Sequence, residues 1–397
     1  MFLPRPIPRR PRPSVRRLRL PLPSLPRWPS LPRLPRLPRL PRLPRLLRLP
    51  RLPRLSRLLP ILLAALLSAA PVARADDKAA TKPLDKVRFG TNWKAQGGHG
   101  GFYQALADGT YRRHGLDVEI VQGGPQVNNR PLLSAGRLDF LMAGNLLHSF
   151  DNVKNGIPVV AVAAFFQRDP QILMAHDGVY PTFADLRRAR TILIGKDGQF
   201  SFWQWLKSEH GMRDEQLRPY TFNLAQFLRD REVVQQGYAS SEPYSAIAAG
   251  AKPKVFLLAD HGWQTYSTTV ETRAELIRTK PELVQRFIDA SIIGWYNFLY
   301  GDHAPAYALI RKANPEMTDA LLDNEIRTFR ELAIIDSGDA LARGIGAIDM
   351  NRVRAFLEQM VKAGLYKPGE VDPARAVTDR FVNKGVGLDV RKALGVK

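Results

Sequence analysis

Apolar and polar residues alternate along "VRFGTNW" after Lys86 and then change period. In "GFYQALADGTYRRHG" the spacing is helical, grouping Phe102, Ala105 and Leu106 on one side, and Gly115 stands where a helix stops. "LDVEIV" is the next strand, and "VNNRPLLSAGRLD" is a short helix followed by turn residues. "FLMAG" and "PVVAVAAFF" are unbroken apolar runs of the kind that parallel strands buried on both faces show. "FADLRRAR" followed by "TILIGK" repeats the helix–strand pattern. "FSFWQWLKSEHG" predicts a helix with Phe202, Trp203 and Leu206 on one face and Gly211 at its end. "LRPYTF", "FLRDREVVQQG", "YSAIAAG" and "KVFLLAD" continue the alternation. Strands alternating with helices predict an α/β architecture.

The pattern changes at Lys280. "KPELVQRFIDASIIGWYNFLYGD" is a long amphipathic helix, with Pro281 in its first turn and Val284, Phe287, Ile288, Ile292 and Trp295 apolar. "MTDALLDNEIRTFRELAII" and "MNRVRAFLEQMVKAG" are further helices. These periods suggest a first lobe beginning at 76–176, a second lobe at 177–262, and a return to the first lobe with C-terminal helices at 263–397.

Charge divides the chain differently. The formal net charge is +22, which by itself points to a nucleic-acid or membrane-surface protein. Residues 1–75, however, hold 18 of the 59 Lys and Arg, none of the 37 Asp and Glu, and 18 of the 32 Pro. The basic signal belongs to this leader, and the rest reads as near-neutral and globular, without a nucleic-acid partner. Within residues 1–57, "LPRLPRLPRLPRLPRLLRLPRLPRL" is low-complexity sequence too rich in proline for helix or packed core. Residues 58–75 hold a short apolar run ending in Ala73-Arg74-Ala75, preceded by Arg54 and Arg57. That is the pattern of a secretory signal peptide cleaved after Ala75, and the run is too short to span a bilayer. There is no Cys, which removes disulfides and thiolate chemistry.

The segments "TNW…HGGFYQALADGTYRRHGLDVEI", "LLSAGRLDFLMAGN", "NGIPVVAVAAFFQRDP", "DLRRARTILIG", "EPYSAIAAG" and "KPELVQRFIDASIIGW" occur in one order. Together they resemble the periplasmic solute-binding proteins of the thiamine-pyrimidine-precursor and nitrate/sulfonate/taurine type. The resemblance implies a two-lobed type II periplasmic binding protein fold with the ligand cleft between the lobes. It implies a periplasmic protein, monomeric and without a cofactor, that hands a small solute to the membrane permease and ATPase subunits of an ABC importer.

Ligands of open α/β sheets bind beyond the carboxyl ends of the strands, which is where Asn92 and Trp93 fall. Trp93 offers a stacking face for a planar heterocycle. His99 can donate to or accept from a ligand, and Gly97, Gly98, Gly100 and Gly101 let backbone N–H groups approach one. Gly144 and Asn145 end another strand, Gln167 follows "AAFF", and Ser201 in "GQFS" can cap a helix or bind an anion. Glu242 in "SSEPY" matches the family's acidic residue facing the cleft, and Tyr266 is a candidate for closing the lobes. Trp93 with Glu242 favours a planar, nitrogen-rich solute over nitrate or a sulfonate.

The superfamily also includes the fungal thiamine pyrimidine synthase. "FLMAGNLLHSFDNVKNGIP" resembles its active-site helix, and His148 matches its consumed histidine if one residue is inserted. Gly144 stands where that enzyme holds its cofactor lysine, and its cysteine cluster has no counterpart, so the sequence reads as a binder.

Overall fold

Ten strands supply the frame: β1 (Asp85–Gly90), β2 (Leu116–Val121), β3 (Phe140–Asn145), β4 (Val159–Phe166), β5 (Gln171–His176), β6 (Ile192–Ile194), β7 (Leu217–Pro219), β8 (Val234–Tyr238), β9 (Pro253–Leu257) and β10 (Ser267–Arg273). They form two five-stranded sheets, ordered β2-β1-β3-β10-β4 and β7-β6-β8-β5-β9. The computed structural model describes residues 83–396 except 125–126 and 221–222. The basic leader and the signal-peptide segment lie outside the described residues.

In the first sheet β1 runs parallel to β2 and β3, and β10 returns antiparallel between β3 and β4. In the second sheet β6 is parallel to β7 and β8, and β5 is antiparallel to β8 and β9. Two expectations change. The apolar run of β4 does not mark a parallel strand, because its strand partner is β10, antiparallel. Burial on both faces makes a strand uniformly apolar whichever way its neighbour runs. The lobe boundary expected at 177 also moves, because β5 pairs within the second sheet and the chain crosses between Phe166 and Gln171. It crosses back between Leu257 and Ser267.

The crossings are tied together. Asp169 accepts from Gln171 N–H (3.0 Å) and from the indole N–H of Trp263 (3.0 Å), and Arg168 pairs with Asp260.

The helix expected across "GFYQALADGTYRRHG" is broken. It spans Gly100–Ala107, and a separate turn covers Thr110–Arg113. Gly109 between them has φ +78°, and Asp108 accepts from Thr110 N–H (2.9 Å). The long helix forms as expected over Pro281–Tyr300. Its Phe287 stacks on Phe140 (4.1 Å) and on Tyr111 (5.4 Å), which anchors it to the first lobe.

Candidate functional site

The loops leaving the carboxyl ends of β1, β3, β6 and β8 hold most of the candidate residues. After β1 the chain turns through Thr91, whose hydroxyl donates to Trp93 O (2.8 Å). Asn92 and Trp93 are half-buried on this loop. It ends in a 3-10 turn, Gly97–His99, that leads into the helix Gly100–Ala107. His99 is fully buried, with Nε2 3.4 Å from Asn92 Oδ1 and Nδ1 without a partner. Burial pushes its pKa down to about 3, so the ring is neutral at ordinary pH. With Nε2–H directed at Asn92, Nδ1 is a bare acceptor inside the protein.

The glycines divide by role. A Cβ on Gly100 would lie 2.1 Å from the Phe298 ring, and one on Gly101 would lie 2.2 Å from that of Trp295. One on Gly294 would lie 2.3 Å from Gly101 O. These three let two helices cross closely, so Gly100 and Gly101 do not serve as a ligand cradle. Gly97 donates its N–H to Glu325 Oε2 at 2.5 Å. Gly98 has room, its nearest neighbour being the Gln96 side chain at 3.4 Å.

Other candidates are committed to the fold. Asn145 caps the helix Leu146–Lys154 by accepting from Leu147 N–H (3.0 Å). Gly144 donates its N–H to His148 Nδ1 (3.0 Å), and its carbonyl accepts from Ser267 Oγ (2.8 Å). His148 is thus engaged by backbone through Nδ1, and its pKa falls to about 3 through burial and then the Arg130 charge. Gln167 is buried and donates to Ala164 O and Ala347 O (both 2.9 Å). Tyr266 is fully buried, its hydroxyl accepting from Asp349 N–H (2.9 Å) under the Arg352 guanidinium, 4.0 Å from the ring centre. Gln167 and Tyr266 therefore hold the C-terminal segment onto the first lobe, and Tyr266 presents no free face to a cleft.

On the second lobe, Ser201 opens the helix Phe202–His210 without a side-chain capping bond. Beside it Phe200 is 71% exposed, a large apolar side chain that sequence reasoning passed over inside "GQFS". Glu242 begins the helix Glu242–Ala248 and accepts from Tyr238 N–H (2.7 Å), Ser241 Oγ (2.6 Å) and Tyr220 OH (3.1 Å). A carboxylate has about four acceptor positions, so three of these are already used within its own lobe.

The two lobes meet at a residue that sequence reasoning missed. The helix Asp319–Glu331 directs Asn324 Nδ2 to Ser240 O (2.9 Å). Its next residue, Glu325, is buried, with Oε2 at Gly97 of the first lobe and Oε1 3.5 Å from Ser240 Oγ of the second. Nothing in "LLDNEIRTF" distinguishes Glu325 from its solvated neighbours by spacing alone. The structure therefore brings the Asn92–His99 loop together with Ser240–Glu242, and it leaves Gln167 and Tyr266 in the core. Among the described residues no group of three or more His, Asp or Glu could hold a metal ion.

A chain of two α/β sheets joined by paired crossings, with strand ends converging on a junction, has the architecture of a two-lobed type II periplasmic binding protein. The family model described as "NMT1/THI5 like" matches residues 96–300, and the chain belongs to that family. It is 28% identical over 240 residues to the riboflavin-binding protein RibY of Chloroflexus aurantiacus, a match covering 58% of this chain and 67% of that protein. Its fold is similar to the periplasmic aliphatic sulphonate-binding protein SsuA of Escherichia coli, with TM-score 0.55, 13% identity, and coverage of 74% of this chain and 92% of that one. It is also similar to a Candida albicans protein described as having the generic periplasmic binding protein structural fold, with TM-score 0.52, 15% identity, and coverage of 75% and 97%.

Proposed function

We propose that this chain is the periplasmic solute-binding component of an ABC importer, and that its solute is a flat nitrogen heterocycle carrying N–H donors. The permease and ATPase subunits are its partners, and it works as a monomer without a cofactor. The observation that carries the reading is the junction of the Asn92–His99 loop with Ser240–Glu242 and Glu325. The groups meeting there are acceptors: the bare Nδ1 of a neutral His99 and the carboxyl of Glu242, while Glu325 beside them is held by Gly97 and Ser240. A buried acceptor without a partner calls for a donor from a ligand or water. Nitrate or a sulfonate would bring negative charge toward the Glu242 carboxyl and find no matching donor in that set.

Trp93 supplies the stacking face, and the Asn145 side chain, with its oxygen used in capping, still has its NH2 group for a ring carbonyl. Because Glu242 is largely occupied, it fixes the Ser240–Ser241 turn and offers at most one further acceptor position. Both a thiamine pyrimidine precursor and a flavin ring meet these requirements, and the riboflavin-binding relative makes the flavin the first ligand to try.

A thermal-shift screen tests the reading with riboflavin, an aminopyrimidine, an alkanesulfonate and nitrate. A true ligand raises the melting temperature by mass action. We expect a rise with one of the heterocycles; a rise with nitrate or the sulfonate alone overturns the assignment. Incubation with pyridoxal phosphate and iron addresses the synthase alternative. A pyrimidine product with loss of mass at His148 would restore it.

A further inference from the structure

A polar cavity opens on the first lobe, away from the junction. Its volume is about 430 Å³, within the roughly 300–1,000 Å³ of small-ligand sites. β10 lays Glu271 opposite Leu141 of β3, while Ser267 lies opposite Asn145 at the cleft end. Four residues of strand, about 13 Å, separate Glu271 from that end.

Glu271 lines the cavity and is 1% exposed. Its Oε1 accepts from Ser149 Oγ (2.7 Å) and Asn152 Nδ2 (3.2 Å), and its Oε2 has no partner among the described residues. The Asn152 amide also accepts, through Oδ1, from Arg130 Nη2 (3.0 Å), which donates to His148 O as well (3.2 Å). Arg130 lines the same cavity, and its Nε and Nη1 are unspent among the described residues. An anion and a cation thus face one space, bridged by a neutral amide, and neither makes an ion pair among the described residues. Burial raises the Glu271 pKa, and the Ser149 bond and then the Arg130 charge oppose the rise. An arriving ammonium would supply the close cation that the ionised form lacks. Asp151, also lining the cavity, keeps Oδ2 after Oδ1 accepts from Tyr366 OH (2.9 Å). The remaining walls are apolar: Leu133, Leu141 and Val159 are buried and, with Ile157 beside them, form a small cluster separate from the main core.

We propose that this cavity is a second binding site, for a free aliphatic α-amino acid as its zwitterion. The ammonium sits on Glu271 Oε2 and Asp151, the carboxylate on Arg130, and the side chain against Leu133, Leu141 and Val159. A simple cation would meet the Arg130 charge, and a simple anion would meet two carboxylates. A ligand whose two charges are one carbon apart matches a pair bridged by one side-chain amide. Its ammonium needs acceptors and its carboxylate needs donors, and those are the groups left over.

Titration calorimetry with L-leucine, 3-methylbutylamine and 4-methylpentanoate tests the proposal, because the amine and the acid each keep the leucine side chain and one of its charges. We expect leucine to bind at one site and each analogue to bind about tenfold more weakly or worse. Glu271→Gln keeps an acceptor for Ser149 and Asn152, removes the charge, and should weaken leucine by about tenfold or more with the melting curve retained. Arg130→Gln should do the same by removing the other charge. Should either variant melt early, the other variant and the analogue series on the unaltered chain decide. Trp93→Ala should leave leucine affinity unchanged, which separates this cavity from the cleft. No leucine binding at millimolar concentration, an analogue that binds as tightly as leucine, leucine affinity unmoved in both charge variants, or leucine affinity lost in Trp93→Ala overturns the proposal. The site does not depend on the cleft reading, so a failed heterocycle screen leaves this result readable.

Discussion

Trp93 and Tyr266 are both aromatic candidates for one cleft, and their environments give opposite expectations. Trp93 is half-buried on the loop after β1. Trp93→Ala should remove roughly 1–3 kcal/mol of binding to a planar ligand, about five- to a hundredfold in affinity, with the melting curve nearly unchanged. Tyr266 accepts from the backbone N–H of Asp349 inside the core. Tyr266→Phe strands that donor and should cost about 1–3 kcal/mol of fold stability with affinity preserved, as calorimetric titration and denaturant unfolding together would show. The sequence could not separate these two, because each is an aromatic side chain on a loop beside a strand, Trp93 after β1 and Tyr266 just before β10. What separates them is whether a second segment, here Asp349 and Arg352, arrives to cover the ring. Glu325 was illegible for the same reason: its neighbours at Gly97 and Ser240 are distant in sequence and meet only in the fold.

At the level of elements, periodicity carried most of the information. "LDVEIV" is β2 as read, and the helix ending at Gly211 is as read, its glycine at φ +69°. β5 and β10 were not read, and both lie between the sheets' other members. β10, "STTVETR", is polar in composition yet buried through Thr272 because each of its faces is covered. Hydroxyl and methyl groups of threonine satisfy such a position without an apolar signature. The glycines of "GGHGG" were legible as special but not as to cause. For Gly100 and Gly101 the cause is the crossing of the helices Gly100–Ala107 and Pro281–Tyr300, while Gly97 is set by Glu325. Gly101→Ala should therefore cost about 1–3 kcal/mol of stability by overpacking against Trp295, seen as a lower denaturant midpoint at unchanged slope. If affinity falls while the midpoint holds, the cradle reading returns.

For the molecule as a whole, the charge break after residue 75 was the clearest signal in the sequence, and it concerns processing more than fold. If the A-x-A site is used, protein recovered from the periplasm should begin at Asp76, and N-terminal sequencing would read "DDKAATK". A retained "LPR" arm would reject export by that route. The two-lobed α/β plan was legible from the alternation of periods, while the place where the chain changes lobe was not. Nothing local marks β5 as belonging to the second sheet; only its pairing with β8 and β9 does.

The return of β10 between β3 and β4 has a consequence for how the chain is made. All five strands of the second sheet lie between Gln171 and Leu257, so that sheet is complete as soon as this stretch has emerged during synthesis. The first sheet begins earlier but stays open along its middle until Ser267–Arg273 arrives, and its aromatic anchor Phe287 comes later still. The half of the protein made first is thus finished last. Chains truncated after residue 262 should hold a protease-resistant core from the second lobe beside a first lobe that is digested, and gel analysis of the fragments would reveal it. Were the chain exported unfolded, a late-closing N-terminal half would leave the leading segment threadable until most of its length has been made.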